Sequence, residues 1–214
     1  RDELFNLGVG TTRSGEWVVA TSASKDTSEV RVVPAVQPLA PARLVARRRT
    51  GHEYYVDHHG REFWIRTNDK GKNFRLVRAP LADPAPRNWK QVLPHRKGVM
   101  LEDVDLFKGF WVATERDDGV PRLRVTDFAT GRHHHIDMPE TVYSTGPGTN
   151  EEFDTDLLRF VYQSYITPRT TYDYDVAKRT RTLLKQQPVL GGYDPLEYES
   201  ALLMAPAKDG TKVP

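Results

Sequence analysis

Hydrophobic residues in this chain are grouped in short runs rich in β-branched and aromatic side chains, and a helical period is almost absent. Such runs are typical of β-strands when turn residues close them. The four clearest runs are residues 17–21, 63–67, 110–114 and 159–162. The pattern predicts an all-β fold.

Turn-forming segments follow each of these runs and lead into a second strand-like run. Gly supplies positive φ, Pro fixes φ, and Asp or Asn bonds its own backbone, so each segment has a physical reason to turn. The segments are residues 24–27, 68–71, 117–119 and 167–169. We therefore expect four strand–turn–strand units.

The four units are spaced as repeats. Aligning Val18, Trp64, Trp111 and Phe160 gives spacings of 46, 47 and 49 residues. A polar residue comes four positions after each anchor, at Ser22, Asn68, Glu115 and Ser164. A core-type residue comes twelve positions after each anchor, at Val30, Leu76, Leu123 and Tyr172. An even offset preserves the face of a side chain within a strand, although the intervening turn loosens that argument here.

A period near 47 residues in an all-β chain is typical of propeller blades, each built from about four short strands. The spacing leaves room for further strands, for which the candidates are residues 43–47, 54–57, 90–93, 100–105 and 182–185. The alternative is a pair of unrelated β-sandwich domains. Sandwich strands rarely recur at this longer period, which favours a propeller.

Composition restricts the class of protein further. The 214 residues include 31 Lys or Arg and 29 Asp or Glu, giving a formal net charge of +2. This near-balance argues against a nucleic-acid-binding protein, and no stretch of the chain is apolar enough to predict a membrane span. The absence of cysteine excludes disulfides, thiolate metal sites and a cysteine nucleophile. A cytoplasmic location fits this composition.

The end of the chain departs from the repeats. Residues 187–195 are punctuated by Gly and Pro and predict a connector. Residues 198–205 predict another strand, and residues 208–211 a hairpin-type turn. Because the chain stops at Pro214, directly after that turn, we expect a hairpin with one arm that begins a second domain.

Sequence motifs for catalysis are absent. None of the seven serines lies in a Gly-x-Ser-x-Gly elbow, and there is no P-loop, Gly-x-Gly-x-x-Gly or His-Glu-x-x-His motif. The sequence leaves open a catalytic triad whose members are distant from one another along the chain. We identify no catalytic, cofactor-binding or metal-binding residue.

Two histidine clusters invite a metal interpretation. In a strand, only His133 and His135 of the run 133–135 share a face, and Asp137 is the sole further ligand nearby. We therefore expect an exposed outer strand there, with no role assigned to His133, His134 or His135. His58 and His59 precede Gly60, so we expect a solvated hairpin turn.

Two charged runs are expected to be solvated. Residues 47–49 are three arginines, which are typical of an edge strand or its exit. Glu151, Glu152, Asp154 and Asp156 form an acidic patch that follows a Gly-Pro-Gly segment. Calcium binding is an alternative for this patch, but its spacing does not match an EF-hand.

Several strings in the chain resemble the propeller of the prolyl oligopeptidase family of serine peptidases, and within it the oligopeptidase B group. They include Leu190-Gly191-Gly192-Tyr193-Asp194-Pro195 and the turn Ser24-Lys25-Asp26-Thr27. The similar segments are residues 11–15, 24–31, 55–60, 67–69, 72–76, 93–96, 115–116, 172–175, 190–195 and 209–214. The resemblance therefore covers nearly the whole chain.

The resemblance implies a seven-bladed propeller that caps an α/β-hydrolase domain. This chain would supply about four blades in residues 1–186, and the connector and start of the peptidase domain in residues 187–214. The Ser-Asp-His triad would lie in the hydrolase domain, so the chain alone is expected to be inactive. The intact protein would cleave short peptides after Arg or Lys, and the propeller would exclude folded proteins from the active site.

The resemblance gives the acidic patch a further role. Glu151, Glu152, Asp154 and Asp156 would steer cationic peptides by long-range attraction. The expected partners are the peptidase domain of the same protein and peptide substrates, and neither nucleic acid nor a membrane. Uncovered blade faces also predict self-association of the isolated chain.

Two functions of other classes remain as alternatives. One is a free-standing propeller that binds a protein partner, and such a propeller usually closes its ring by pairing its two termini in one blade. The predicted half-hairpin at Pro214 argues against that closure. The other is a polysaccharide-acting or metal-dependent β enzyme, which would need a convergent cluster of carboxylates or histidines.

Overall fold

A computed structural model describes residues 4–213, and its regular structure is β-sheet with two short 3-10 turns, at Pro86–Asn88 and Pro195–Glu197. Within this range, sixteen strands form four antiparallel sheets of four strands, each connected in sequence order. We call these sheets blades 1 to 4. Blade 1 contains β1 (Asn6–Thr11), β2 (Trp17–Ala23), β3 (Ser28–Pro34) and β4 (Arg43–Leu44). Blade 2 contains β5 (Tyr54–His59), β6 (Glu62–Thr67), β7 (Arg75–Pro80) and β8 (Lys90–Leu93).

The two later blades have the same order. Blade 3 contains β9 (Val99–Leu106), β10 (Phe110–Asp117), β11 (Val120–Asp127) and β12 (His133–His135). Blade 4 contains β13 (Tyr143–Pro147), β14 (Leu157–Ser164), β15 (Thr170–Asp175) and β16 (Thr180–Gln186). The predicted all-β fold is confirmed, and the sheets form part of a β-propeller rather than two sandwiches.

The hydrophobic cores lie between successive blades. One cluster joins blades 1 and 2, a second joins blades 2 and 3, and a third joins blades 3 and 4. The second strand of blade 3 is therefore apolar on both faces, with Phe110 and Val112 packed toward blade 4 and Trp111 and Ala113 toward blade 2. This explains the continuous apolar runs in the sequence, since a sheet covered on both sides loses the usual polar alternation.

The predicted strand–turn–strand units are confirmed in all four blades. Each of the four clearest runs lies in the second strand of a blade, and each predicted turn leads to the third strand. The further strand candidates also coincide with strands, although only Arg43 and Leu44 of residues 43–47 are paired.

The alignment of anchors is wrong for Trp64. Trp111 and Phe160 pack toward the preceding blade, whereas Trp64 packs toward the following one. Phe63 and Ile65 are the residues of β6 that face the preceding blade. Side chains alternate faces along a strand, so an alignment that is one residue out of register exchanges the two interfaces.

The last part of the described chain follows β16. Residues 187–194 contain no strand, as the Gly and Pro pattern predicts. The strand predicted over residues 198–205 is wrong, because pairing starts only at Ala205. β17 (Ala205–Pro206) pairs with β18 (Lys212–Val213), so both arms of the predicted one-armed hairpin are present, and Pro214 itself lies outside the described residues. No helix among residues 4–213 is long and apolar enough to span a bilayer.

Candidate channel-facing site

The first strands of blades 1, 2 and 3 line one shared cavity of about 620 Å³. Strands β1, β5 and β9 contribute most of its wall, and Glu151 reaches it from the segment between β13 and β14. Since first strands meet here and fourth strands lie at the opposite edges of the sheets, this cavity is the inner side of the propeller. We call it the inner cavity.

Charged side chains dominate the polar part of the inner cavity. Arg13 comes from the turn after β1, Asp57 from β5, Arg66 from β6 and Asp103 from β9. Asp105 lies two residues beyond Asp103 on the same strand, so both carboxylates are on one face of β9. Two blades thus bring three carboxylates to one region.

The surroundings of Asp57 and Asp105 raise the pKa values of these two carboxylates. Burial raises the pKa of Asp57 to about 6, with a smaller contribution from Asp103, against hydrogen bonds that favour the charged form. Those bonds come from the backbone N–H groups of Arg13 and His58, each 2.8 Å from Oδ1 of Asp57. Burial, then Asp103, raises the pKa of Asp105 to about 6 as well. Repulsion between neighbouring carboxylates therefore adds to the effect of burial.

Arg13 fixes the acidic segment to the inner wall. Its guanidinium donates to the carbonyl oxygen of Leu106 (3.3 Å), to that of Asn150, and to that of Glu152 (3.3 Å). It also lies 4.7 Å from the ring centroid of Phe107, within cation–π range. One side chain of blade 1 therefore contacts both blade 3 and the segment that carries the predicted acidic patch.

The four residues of the predicted acidic patch are all exposed, and only one of them lines the inner cavity. That residue is Glu151. Asp154 is 2.5 Å from Nζ of Lys108, so its charge is partly balanced. The backbone oxygen of Asp156 accepts a hydrogen bond from Val176, which fixes the end of the segment on blade 4. Glu152 is exposed next to Glu151, and the steering role of all four remains a prediction.

The inner carboxylates were not identified from the sequence. In the sequence, Asp57 belongs to a similar string and ends the strand candidate 54–57, whereas Asp103 and Asp105 lie within the candidate 100–105. Acidic residues on the first strand of each blade could indicate an acidic inner cavity, because those strands face the axis of a propeller. This inference requires knowing which strand is first in each blade, and the repeat spacing alone does not show that.

The predicted solvated turn at His58 and His59 is wrong. His58 is fully buried, with Nδ1 at 2.7 Å from the Ser14 hydroxyl oxygen and Nε2 at 3.0 Å from the carbonyl oxygen of Gly60. His59 stacks on Phe128, with ring centroids 3.7 Å apart. Burial lowers the pKa of His58, so this imidazole is neutral at pH 7.

The remaining charged and histidine runs lie at the outer side. The three arginines of residues 47–49 are exposed and follow β4, as predicted. β12 is the last strand of blade 3, with His133 and His135 exposed and His134 half-buried. Within residues 4–213, no group of three or more His, Asp or Glu side chains is arranged to hold a metal ion.

The fold and its inner cavity define this chain as part of a β-propeller. A family model for the prolyl oligopeptidase N-terminal β-propeller domain matches residues 1–187. The chain belongs to this family, as the resemblance in the sequence predicted.

Similar proteins with assigned names are peptidases, in agreement with this family. Dipeptidyl aminopeptidase BI of Pseudoxanthomonas mexicana is 39% identical over 215 residues, covering 100% of this chain and 29% of the relative. Protease 2 of Moraxella lacunata is 29% identical, covering 100% of this chain and 30% of the relative. The chain thus spans less than a third of the length of these proteins.

Solved structures show the same fold. Oligopeptidase B from Trypanosoma brucei, in a closed form with covalently bound antipain, aligns with a TM-score of 0.90 and 29% identity. The alignment covers 99% of this chain and 31% of that protein. Oligopeptidase B from Leishmania major aligns with a TM-score of 0.88 and 26% identity, covering 99% of this chain and 31% of that protein.

Proposed function

We propose that this chain is the substrate-gating propeller portion of a serine oligopeptidase that resembles oligopeptidase B. The observation that carries the proposal is the acidic inner cavity, in a chain that superposes on the oligopeptidase B propeller over 99% of its length. In the proposal, residues 1–186 form the blades, and residues 187–214 are the connector and the start of the peptidase domain. The peptidase domain supplies every catalytic group.

In this proposal, the propeller selects peptide substrates by their size and by their charge. A narrow cavity admits flexible peptides and excludes folded proteins, which is steric selection without chemistry. Asp57, Asp103 and Glu151 outnumber the two guanidinium groups of the lining, those of Arg13 and Arg66, and this excess of negative charge attracts Lys and Arg side chains of a peptide. This supports cleavage after Arg or Lys by the intact protein. A cytoplasmic location completes the proposal, and cell fractionation tests it.

A second candidate activity follows from one relative. The protein named dipeptidyl aminopeptidase BI is 39% identical to this chain, against 29% for Protease 2. An aminopeptidase that releases dipeptides needs a free amino terminus on its substrate, whereas an oligopeptidase that cuts internal bonds does not. The two activities therefore differ in their tolerance of a blocked terminus.

The test uses the full-length protein that contains this chain. A peptide with an internal Arg is supplied with either a free or an acetylated amino terminus, and products are identified by mass spectrometry. Cleavage after Arg in both peptides supports the oligopeptidase. Release of dipeptides from the free peptide alone supports the second candidate. Inhibition by a serine-directed phosphonate is expected in both cases, and hydrolysis that resists it contradicts the serine-peptidase assignment.

A further inference from the structure

A cleft of about 650 Å³ lies between the outer strands of blades 3 and 4. Its polar lining consists mainly of Arg122, His134, His135, Asp137, Arg179 and Arg181. These residues come from β11, from β12 and the residues after it, from the turn between β15 and β16, and from β16. The histidine run that had no assigned role therefore forms part of this cleft, which we call the outer cleft.

Positive charge exceeds negative charge in the outer cleft. Three guanidinium groups face one carboxylate there, that of Asp137. Arg181 donates to the backbone oxygen of Asp137 at 2.9 Å. Because a carbonyl oxygen has no formal charge, this bond does not neutralise the guanidinium. Arg122 is 3.5 Å from the carboxylate of Asp117. The guanidinium of Arg179 has no salt bridge or hydrogen bond within residues 4–213.

Arg179 occupies a backbone position that suits glycine. Its φ is 57°, and its N–H donates to the carbonyl oxygen of Asp175 at 2.8 Å. The equivalent turn of blade 3 has the same bond, from Gly131 to Asp127 at 2.9 Å, and Gly131 has a φ of 67°. In both turns the Asp side chain also accepts from the residue before this position.

Because blade 3 forms the same turn with Gly131, the turn does not require an arginine at this position. A left-handed conformation is unfavourable for an L-residue and natural for glycine. Blade 4 therefore has a strained residue where blade 3 has an unstrained one. The difference is a guanidinium group at the outer cleft, and such outliers concentrate at binding sites.

His134 connects this cleft to the core. Its Nε2 lies 2.8 Å from the hydroxyl oxygen of Tyr174, whose side chain is buried against blade 3. Burial, then the charge of Arg179, lowers the pKa of His134. The imidazole is neutral at pH 7, so it contributes a polar group without adding to the repulsion among the arginines.

We propose that the outer cleft binds a phosphoryl oxyanion, with Arg179 and Arg181 as its main ligands and Arg122 as a third cation. Guanidinium groups match phosphate oxygens in geometry and form charge-assisted hydrogen bonds with them. The volume exceeds that of a single phosphate, so the cleft accommodates a diphosphate or a phosphoryl group carried by a nucleotide.

Calorimetry on the full-length protein tests the proposal with pyrophosphate and with AMP, using sodium chloride of equal ionic strength as the control for screening. Hydrogen exchange locates the site, with increased protection expected at residues 133–136 and 179–181. Binding of both probes indicates the phosphoryl group itself, tighter binding of AMP indicates a nucleotide, and binding of pyrophosphate alone indicates a free oxyanion. All three outcomes support the proposal.

The variant Arg179→Gly distinguishes a loss of anion binding from a loss of folding stability. The variant is expected to unfold at a higher temperature without anion, because glycine relieves the strain, and to bind pyrophosphate about tenfold more weakly. Arg181→Gln is a second variant with the same expected loss of affinity. Lys178→Gln removes one charge from the same turn but does not line the cleft, and should bind normally. The proposal is overturned if R179G binds pyrophosphate with unchanged affinity, or if neither probe protects the cleft residues from exchange more than chloride does. It is also overturned if the cleft binds a glutamate-rich peptide and neither phosphate probe.

Discussion

The Nε atom of Arg13 donates to the carbonyl oxygen of Leu106, 93 residues later in the chain, at 3.3 Å. A side chain from the turn after β1 in blade 1 thus contacts the end of β9 in blade 3, although the whole of blade 2 lies between them in the sequence. The same guanidinium bonds the backbone of Asn150 and Glu152. Arg13 therefore joins the inner wall to the acidic segment, beside the backbone bond from the N–H of Lys108 to the carbonyl oxygen of Phe153 at 2.9 Å.

Replacing Arg13 should loosen the acidic segment. In Arg13→Gln, hydrogen exchange at residues 150–153 of the full-length protein is expected to become about tenfold faster. The reason is the loss of charge-assisted bonds to two backbone carbonyl groups of that segment. Arg31→Gln removes the same charge from an exposed site in blade 1 and serves as the control. Equal exchange in the two variants would show that Arg13 does not hold the segment.

Stability should depend on pH through the inner carboxylates. Asp57 and Asp105 have pKa values of about 6 in the folded chain, above the ordinary value for Asp. The folded state then binds more protons than the unfolded state between about pH 4 and 6. The free energy of unfolding should therefore fall as pH rises through this window and level off above it. Urea unfolding of the chain between pH 4 and pH 8 measures this.

Asp105→Asn tests whether that pH dependence comes from Asp105. The variant should lose part of the decline and be more stable than the parent at pH 7, by on the order of 1 kcal/mol after allowance for solvent screening. Asp154→Asn changes an exposed carboxylate that pairs with Lys108 and should keep the decline. A decline of the same size in all three proteins would contradict the assignment to Asp105.

Charge reversal of the acidic segment tests steering. In the full-length protein, Glu151→Lys with Glu152→Lys should raise KM for dibasic peptides at low salt, and added salt should reduce the difference. Glu197→Lys with Glu199→Lys makes the same change of charge at exposed residues outside the inner cavity. A KM that is unchanged in the first double variant, or raised equally in both, would rule out steering by this segment.

The isolated chain should self-associate. Its two outermost blades each have a face without a neighbouring blade among the described residues, with Leu7 and Val9 on β1 and Leu157 on β14 exposed. Apolar faces of this kind tend to pair. Light scattering over a concentration series should show dimers or larger species, and Leu7→Lys with Val9→Lys should reduce them. A monodisperse monomer at the highest concentration would contradict the prediction.

The blades were predictable because their physical causes are local. Alternation, β-branched runs and turn residues all act within about ten residues, and each second strand was located correctly. The interfaces between blades were less predictable. Repeat spacings of 46 to 49 residues leave the register uncertain by one position, which is enough to place Trp64 on the wrong face.

The inner cavity depended on contacts that the sequence does not encode locally. His58 was expected in a turn, but the turn consists of Gly60 and Arg61, and the Ser14 contact lies 44 residues away. Arg13 and Leu106 are separated even further. The segment with Glu151 was identified by its composition, whereas its attachment to the inner wall required the arrangement of three blades.

The most direct test of the central claim measures selection by size. A short peptide with one internal Arg and a folded protein with the same sequence in an exposed loop are each given to the full-length protein. We predict that kcat/KM is high for the peptide and that the folded protein is cleaved only after it is unfolded. Cleavage of the loop at a rate similar to that of the peptide would contradict a gating role for this propeller.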